Sequence, residues 1–174
     1  MKILIISIPR SGSTTLIRAM SSTLKLKKIY EPFNEADNRD VDWDYTPENN
    51  VVVKSLIAIN VNNPIEFFKK YSKLFDKTIL LSRKNTQETL ESYTFQVLQT
   101  KPVPNSWHEK YIYTQNGDIR RWKNWMIKKK NNLEILSNEL NIEIDWYEDL
   151  YSGDEAKIVN FLNKHKINVD IPEF

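Results

Sequence analysis

The chain contains no cysteine, so disulfide bonds, a thiolate nucleophile and cysteine-ligated zinc are excluded, and the redox compartment leaves no mark on it. Histidine is scarce too, and His108 and His165 are too few for a histidine-rich metal site. An excess of one charge is also missing: 25 Lys+Arg face 23 Asp+Glu, a formal net charge of +2 in 174 residues. Without a global field, functional charge has to be local, and composition marks neither a nucleic-acid nor a membrane binder. No stretch approaches the roughly 18 uninterrupted apolar residues of a membrane span. The apolar run Ile3 to Ile6 is too short for the core of a signal peptide and leads into Pro9 and Arg10. It reads as a buried strand, and the expected location is cytoplasmic.

What is present is an alternation of short apolar runs with helical patterns, the arrangement that builds a parallel sheet covered by helices. Strands are expected at Ile3 to Ser7, Lys28 to Tyr30, Val51 to Lys54, Thr78 to Ser82 and Ile142 to Trp146. Helices are expected over Ser13 to Leu24, from an Asn63 cap and Pro64 through Phe75, and from about Thr86 to Gln99 behind the Asn85/Glu88 pair. A long helix should cover Asp118 to about Leu140, and a last one should follow Ser152 and reach His165. Residues 31 to 50 and 100 to 117 read as long loops. The length suits one domain spanning 1–174, and the pattern predicts a three-layer α/β fold with a central parallel sheet of about five strands.

The loop after the first strand, "IPRSGSTTL" at residues 8 to 16, carries the strongest chemical signal. A helix that starts directly after a buried strand presents free N–H groups and the positive end of its dipole at the sheet edge, which attracts an anion. Ser11, Gly12, Ser13, Thr14 and Thr15 add unhindered amides and four hydroxyls, while Arg10 adds a permanent charge with a planar fork for oxyanions. Phosphate or sulfate is the natural guest. The phosphate loop G-x-x-x-x-G-K-[ST] has a lysine directly before its magnesium-binding hydroxyl, and this loop lacks both that lysine and the first glycine.

"PRSGSTTL" resembles the 5′-phosphosulfate loop of the sulfotransferases, P-[KR]-S-G-[ST]-[TS], which grips the donor 3′-phosphoadenosine 5′-phosphosulfate (PAPS). Three later stretches fit in the family's order. "TILLSRKNTQETLESY" ends its strand in Arg83 and Lys84, with Ser92 on the next helix, and resembles the family's 3′-phosphate site. The family's commonest spacing puts the basic residue eight before the serine, at Lys84, whereas Arg83 lies nine before; both are candidates. "YEDL" at residues 147 to 150 resembles the late segment near the adenine, which makes Tyr147 a candidate wall of the base pocket. In "VVVKSLI", Lys54 at a strand end matches a family lysine that neutralises charge at the transferring group. The catalytic histidine of small-molecule members would follow two residues later, where this chain has Leu56, and no Arg-Lys-Gly loop closes the C-terminal part. The resemblance therefore lies nearest the carbohydrate and tyrosylprotein branch, and it implies a P-loop-NTPase-like sulfotransferase fold.

In that branch the general base is commonly a glutamate after the second strand, and "YEPF" makes Glu31 the matching residue, with Glu35, Asp37 and His108 as alternatives. The resemblance implies metal-independent sulfuryl transfer from PAPS to a hydroxyl of a small-molecule or carbohydrate acceptor, leaving adenosine 3′,5′-bisphosphate (PAP). Glu31, Lys54 and Arg10 would be catalytic, and Arg10 with Ser11 to Thr15, Arg83, Lys84, Ser92 and Tyr147 would bind the donor. Two other classes stand beside it. A nucleotide kinase would require magnesium held by an acidic strand end, where this chain has Ser82, Arg83 and Lys84. A nucleic-acid binder would use the basic, tryptophan-rich segment "RRWKNWMIKKK", whose charges read instead as the solvated face of an amphipathic helix.

Overall fold

The computed structural model describes residues 1–33, 45–59, 61–89, 105–151 and 155–167. Near-continuous apolar runs form β1 (Lys2–Ser7), β3 (Val51–Leu56) and β4 (Lys77–Ser82), as befits strands covered on both faces. With β2 (Lys27–Tyr30) and β5 (Ile144–Trp146) they make one sheet in the order β2-β3-β1-β4-β5, and every neighbouring pair is parallel. Helices α1 (Ser13–Leu24), α2 (Pro64–Ser72), α3 (Asn105–Leu140), the single turn α4 (Tyr147–Leu150) and α5 (Glu155–Lys164) complete the described elements, with a further helical stretch at 86–89.

Alternate residues of the strands feed two separate cores. Ile3, Ile5, Val52, Ile79 and Leu81 bury against Leu16, Ile17 and Met20 of α1 and Phe161 of α5. Leu4, Ile6, Val51, Val53 and Leu80 bury against Phe68 and Tyr71 of α2 and Met126, Leu133 and Leu136 of α3. The result is the expected three-layer α/β fold with a central parallel sheet of five strands. Asp145 ties α5 to the last strand: its nearly buried carboxylate accepts from Lys164 Nζ at 2.9 Å and lies 2.7 Å from His165 Nε2. Among the described residues, no helix is long and apolar enough to cross a membrane.

Local chemistry explains where expected boundaries hold. Asn63 Oδ1 accepts from Glu66 N at 3.2 Å with Pro64 opening α2, and Asn85 and Glu88 close their box through Glu88 N to Asn85 Oδ1 at 3.1 Å. Three expectations are corrected. Helix α3 starts at Asn105 rather than Asp118, so residues 105 to 117 are helical and His108 sits on a helix instead of a loop. Gly117 read as a break, but one interior glycine costs only about 1 kcal/mol and a 36-residue helix absorbs it. Strand β3 runs on to Leu56 because Ser55 and Leu56 still pair with Ile6 and Ser7, so Lys54 lies inside the strand rather than at its end. Helix α2 stops at Ser72, short of Phe75, in tightened turns from Leu74 N to Tyr71 O and from Phe75 N to Ser72 O. Ser92, Glu35, Asp37, Ser152 and the expected helix beyond residue 89 lie outside the described residues.

From β1 the chain moves to β2 and β3 on one side, then crosses to β4 and β5 on the other. The strand order therefore reverses at β1, and in open parallel sheets the crevice at such a switch, outside the carboxyl ends of the strands, is where ligands bind. The loop at residues 8–12 leaves β1 at that point.

Candidate functional site

Five residues take the chain from the end of β1 into α1, and the turn is made at Gly12, the helix N-cap, with φ 77°. Only glycine fits there on two counts. The left-handed backbone disfavours a side chain, and a Cβ would lie 2.5 Å from Tyr147 Cδ2 and 2.8 Å from Tyr151 Cε2. The Gly12 carbonyl accepts from Thr15 N at 3.0 Å, Leu16 N at 3.1 Å and the Tyr151 hydroxyl at 3.0 Å. No side chain caps α1 and its first turn holds no acid, so its leading amides and dipole are left suited to an anion.

The loop hydroxyls divide into two pairs. Ser11 is buried and donates to Ile8 O at 2.8 Å, and Ser13 is buried and accepts from Ser7 Oγ at 2.9 Å, so these two shape the loop from beneath. Thr14 is half-buried and Thr15 exposed, as is Arg10. Of the four expected hydroxyls, two face the protein.

Lys54 supplies the loop's second cation. Its stem is buried, and its Nζ donates to Thr14 Oγ1 at 3.1 Å and pairs with the Glu31 carboxylate. Glu31 stands just after β2, where its N–H donates to Lys54 O at 2.7 Å. Among the described residues, six non-glycine residues have positive φ. Lys25, Asn141 and Lys166 follow helices and Asn50 is of a type that tolerates the region, which leaves Arg10 at 63° and Glu31 at 48°. Strain of that kind persists where surroundings over-determine it and clusters at functional sites. The structure thus brings together Thr14, Lys54 and Glu31 from three separate stretches of chain, with Arg10 in the same loop as Thr14.

Arg83 follows β4 on the other side of β1. Its guanidinium lies 4.7 Å above the Tyr147 ring, the same ring that edges Gly12, so the second basic position joins the loop through one aromatic side chain. Arg83 Nη2 pairs with Glu88 at 2.6 Å, and Arg83 Nε is 3.8 Å from Glu148 Oε1, buried and without a hydrogen-bond partner. Lys84 turns away: it is half exposed and pairs with Asp149 at 2.7 Å. Burial opposes ionisation of Glu148, but the amides of Lys84 and Asn85, with Arg83 adding its charge, outweigh it and hold the carboxyl below its ordinary value. Lys130 of α3 closes this corner, reaching Lys84 O at 3.3 Å and standing 5.5 Å over the Trp146 ring. In "RRWKNWMIKKK" Met126 is buried while Trp122 and Trp125 are half-buried, edge to face at 5.7 Å.

Sequence reading missed the clamp that Tyr147 and Tyr151 form over Gly12, although aromatic residues four apart on one helical turn are its signal. Burial, and then the neighbouring Tyr147, push the Tyr151 hydroxyl up to about 12. An unfolded tyrosine titrates near 10, so Tyr151 stabilises the fold fully below about pH 10 and loses that contribution as pH rises through its folded value. Tyr151→Phe should cost about 1 kcal/mol at neutral pH, because Gly12 O keeps its two amide donors. Urea unfolding at pH 8 and pH 11 checks this. The variant should lose less stability across that interval than the parent, and an equal loss would place the alkaline sensitivity elsewhere.

No protein-family model matches the chain, and no characterised protein matches it by sequence. Among solved structures it is similar to the YorR protein of Bacillus subtilis, crystallised in complex with phosphorylated GDP, with a TM-score of 0.52 over 95% of this chain and 97% of that one. At 12% identity this likeness shows the fold alone, shared over nearly the full length of both chains.

Proposed function

We propose that the protein transfers a sulfuryl group from PAPS to a hydroxyl of a carbohydrate or similar acceptor. The observation that carries this reading is the reach of Lys54 from the interior of β3 to both Thr14 of the anion loop and the Glu31 carboxylate. A cation, a loop hydroxyl and a carboxylate converge beside an uncapped helix start, which suits an anionic group on one side and a proton donor on the other.

The loop amides and Arg10 would bind the 5′-phosphosulfate end, and Arg83 beyond Tyr147 would meet the 3′-phosphate. Glu31 would accept the acceptor's hydroxyl proton as its oxygen bonds to sulfur and the bond from sulfur to the bridging oxygen breaks. Lys54 and Arg10 would stabilise the charge that develops on that bridging oxygen and on the equatorial oxygens, and the bisphosphate leaves.

The residues that follow β4 and end β3, on either side of the loop, are Arg83 and Lys54 with Ser55 and Leu56; the strands themselves carry no acid, and the carboxylates near them are each paired with a cation, Glu31 with Lys54 and Glu88 with Arg83.

A nucleotide kinase is the second reading, favoured by the likeness to a protein crystallised with phosphorylated GDP. One measurement separates the two: thermal stabilisation by adenosine 3′,5′-bisphosphate against ADP, ATP and GDP with magnesium. The bisphosphate without metal should stabilise most, whereas a preference for a magnesium triphosphate, or no response to the bisphosphate, overturns the sulfotransferase reading.

A further inference from the structure

The contacts around Arg83 place a residue outside the expected donor-binding set at the centre of its geometry. We infer that Glu148 is a positioning residue, which aims Arg83 at the second anion of the donor and so sets the preference for a nucleotide phosphorylated at both ends. This role rests on the sulfotransferase reading.

The Glu148 carboxylate binds the turn after β4 at three points: Oε2 accepts from Lys84 N at 3.0 Å, Oε1 accepts from Asn85 N at 3.2 Å, and Oε1 lies 3.8 Å from Arg83 Nε. Two charge-assisted bonds to consecutive amides fix the backbone on which Arg83 stands. The guanidinium is then confined between Glu148 on its Nε side, the Tyr147 ring at 4.7 Å, and Glu88 on its outer Nη2. Glu148 and Tyr147 are adjacent in α4, so one helical turn supplies both the stacking surface and the anchor.

The two carboxylates beside Arg83 have opposite parts. Glu148 is about 30% exposed and holds the turn, whereas Glu88 is 52% exposed and occupies the face of the guanidinium that an incoming phosphate would take. A buried donor without a hydrogen-bond partner, Arg83 Nε, costs stability unless the geometry serves something else. Here the arginine is held slightly off its anchor and paired outward to a carboxylate that solvent can receive.

Calorimetric titration with adenosine 3′,5′-bisphosphate and with adenosine 5′-phosphate tests this on the parent, Glu148→Gln, Glu148→Ala and Glu88→Gln. The parent should prefer the bisphosphate. Both Glu148 variants should lose about tenfold of that preference, the size of one charge-assisted contact, while 5′-phosphate affinity stays within about twofold. Glu88→Gln should keep or raise the preference. An unchanged preference in the Glu148 variants, an equal loss for both ligands, or failure of Glu148→Gln to fold would overturn the positioning role and make Glu148 structural. A parent with no preference for the bisphosphate overturns the sulfotransferase reading itself, and this role with it.

Discussion

Glu31→Gln is expected to leave binding of the bisphosphate intact and to lower transfer by about a thousandfold, the loss that follows removal of a positioned general base. The affinity should hold because the change removes a negative charge beside an anion site and leaves Lys54 its bond to Thr14. It should lower the melting temperature of the protein alone, since the largely buried Lys54 ammonium loses the carboxylate it pairs with. With the affinity unchanged, stabilisation by a given concentration of bisphosphate should be about the same in the variant as in the parent. The checks are thermal melts with and without bisphosphate, and transfer of labelled sulfuryl groups from PAPS to a pool of oligosaccharides. Undiminished transfer would remove Glu31 from the chemistry, and loss of bisphosphate binding together with folding would make it a structural residue.

Gly12→Ala is expected to be strongly disruptive for a single added methyl group. The left-handed backbone at φ 77° costs an alanine about 1–2 kcal/mol. The added carbon would also stand 2.5 Å from Tyr147, on the ring that carries Arg83, so relief requires both tyrosines to move and the stack to open. Together these should destabilise the fold by about 2–4 kcal/mol and weaken the bisphosphate by more than about a hundredfold, because the loop and the second basic position share that ring. Pairing the change with Tyr147→Ala removes the closer clash while leaving the 2.8 Å approach to Tyr151 and the backbone term. If stability recovers in the double variant but binding does not, the ring contributes to the site beyond filling space. A Gly12→Ala protein that binds as well as the parent would mean that the loop adopts a different conformation from the one described.

Much of the architecture was legible because its causes are local. Uninterrupted apolar runs announce strands buried on both faces, and the Asn63–Pro64 and Asn85–Glu88 caps place helix starts through bonds spanning three residues. The start of α3 was misread for a reason of the same kind, since an interior glycine looks like a break when the packing that carries a long helix cannot be seen. Lys54 was singled out as a lysine in an apolar run, but its partners lie 40 and 23 residues away and no periodicity connects them.

The amino-acid order by itself determined that an uncapped, glycine-turned, cationic loop follows the first strand, and that basic residues follow the fourth, because those properties belong to short stretches of chain. Tertiary structure alone decided which groups serve the loop. The strand order β2-β3-β1-β4-β5 sets Lys54 and Arg83 on opposite sides of β1, and α4 with the residue after it returns Tyr147, Glu148 and Tyr151 from far along the chain to Gly12 and Arg83. It also turned Ser11 and Ser13 inward and Lys84 outward, a choice that depends on what surrounds each side chain. The physical reason is that hydrogen bonds and ion pairs act over a few ångströms of space, and only the folded sheet brings residues more than a hundred positions apart within that range.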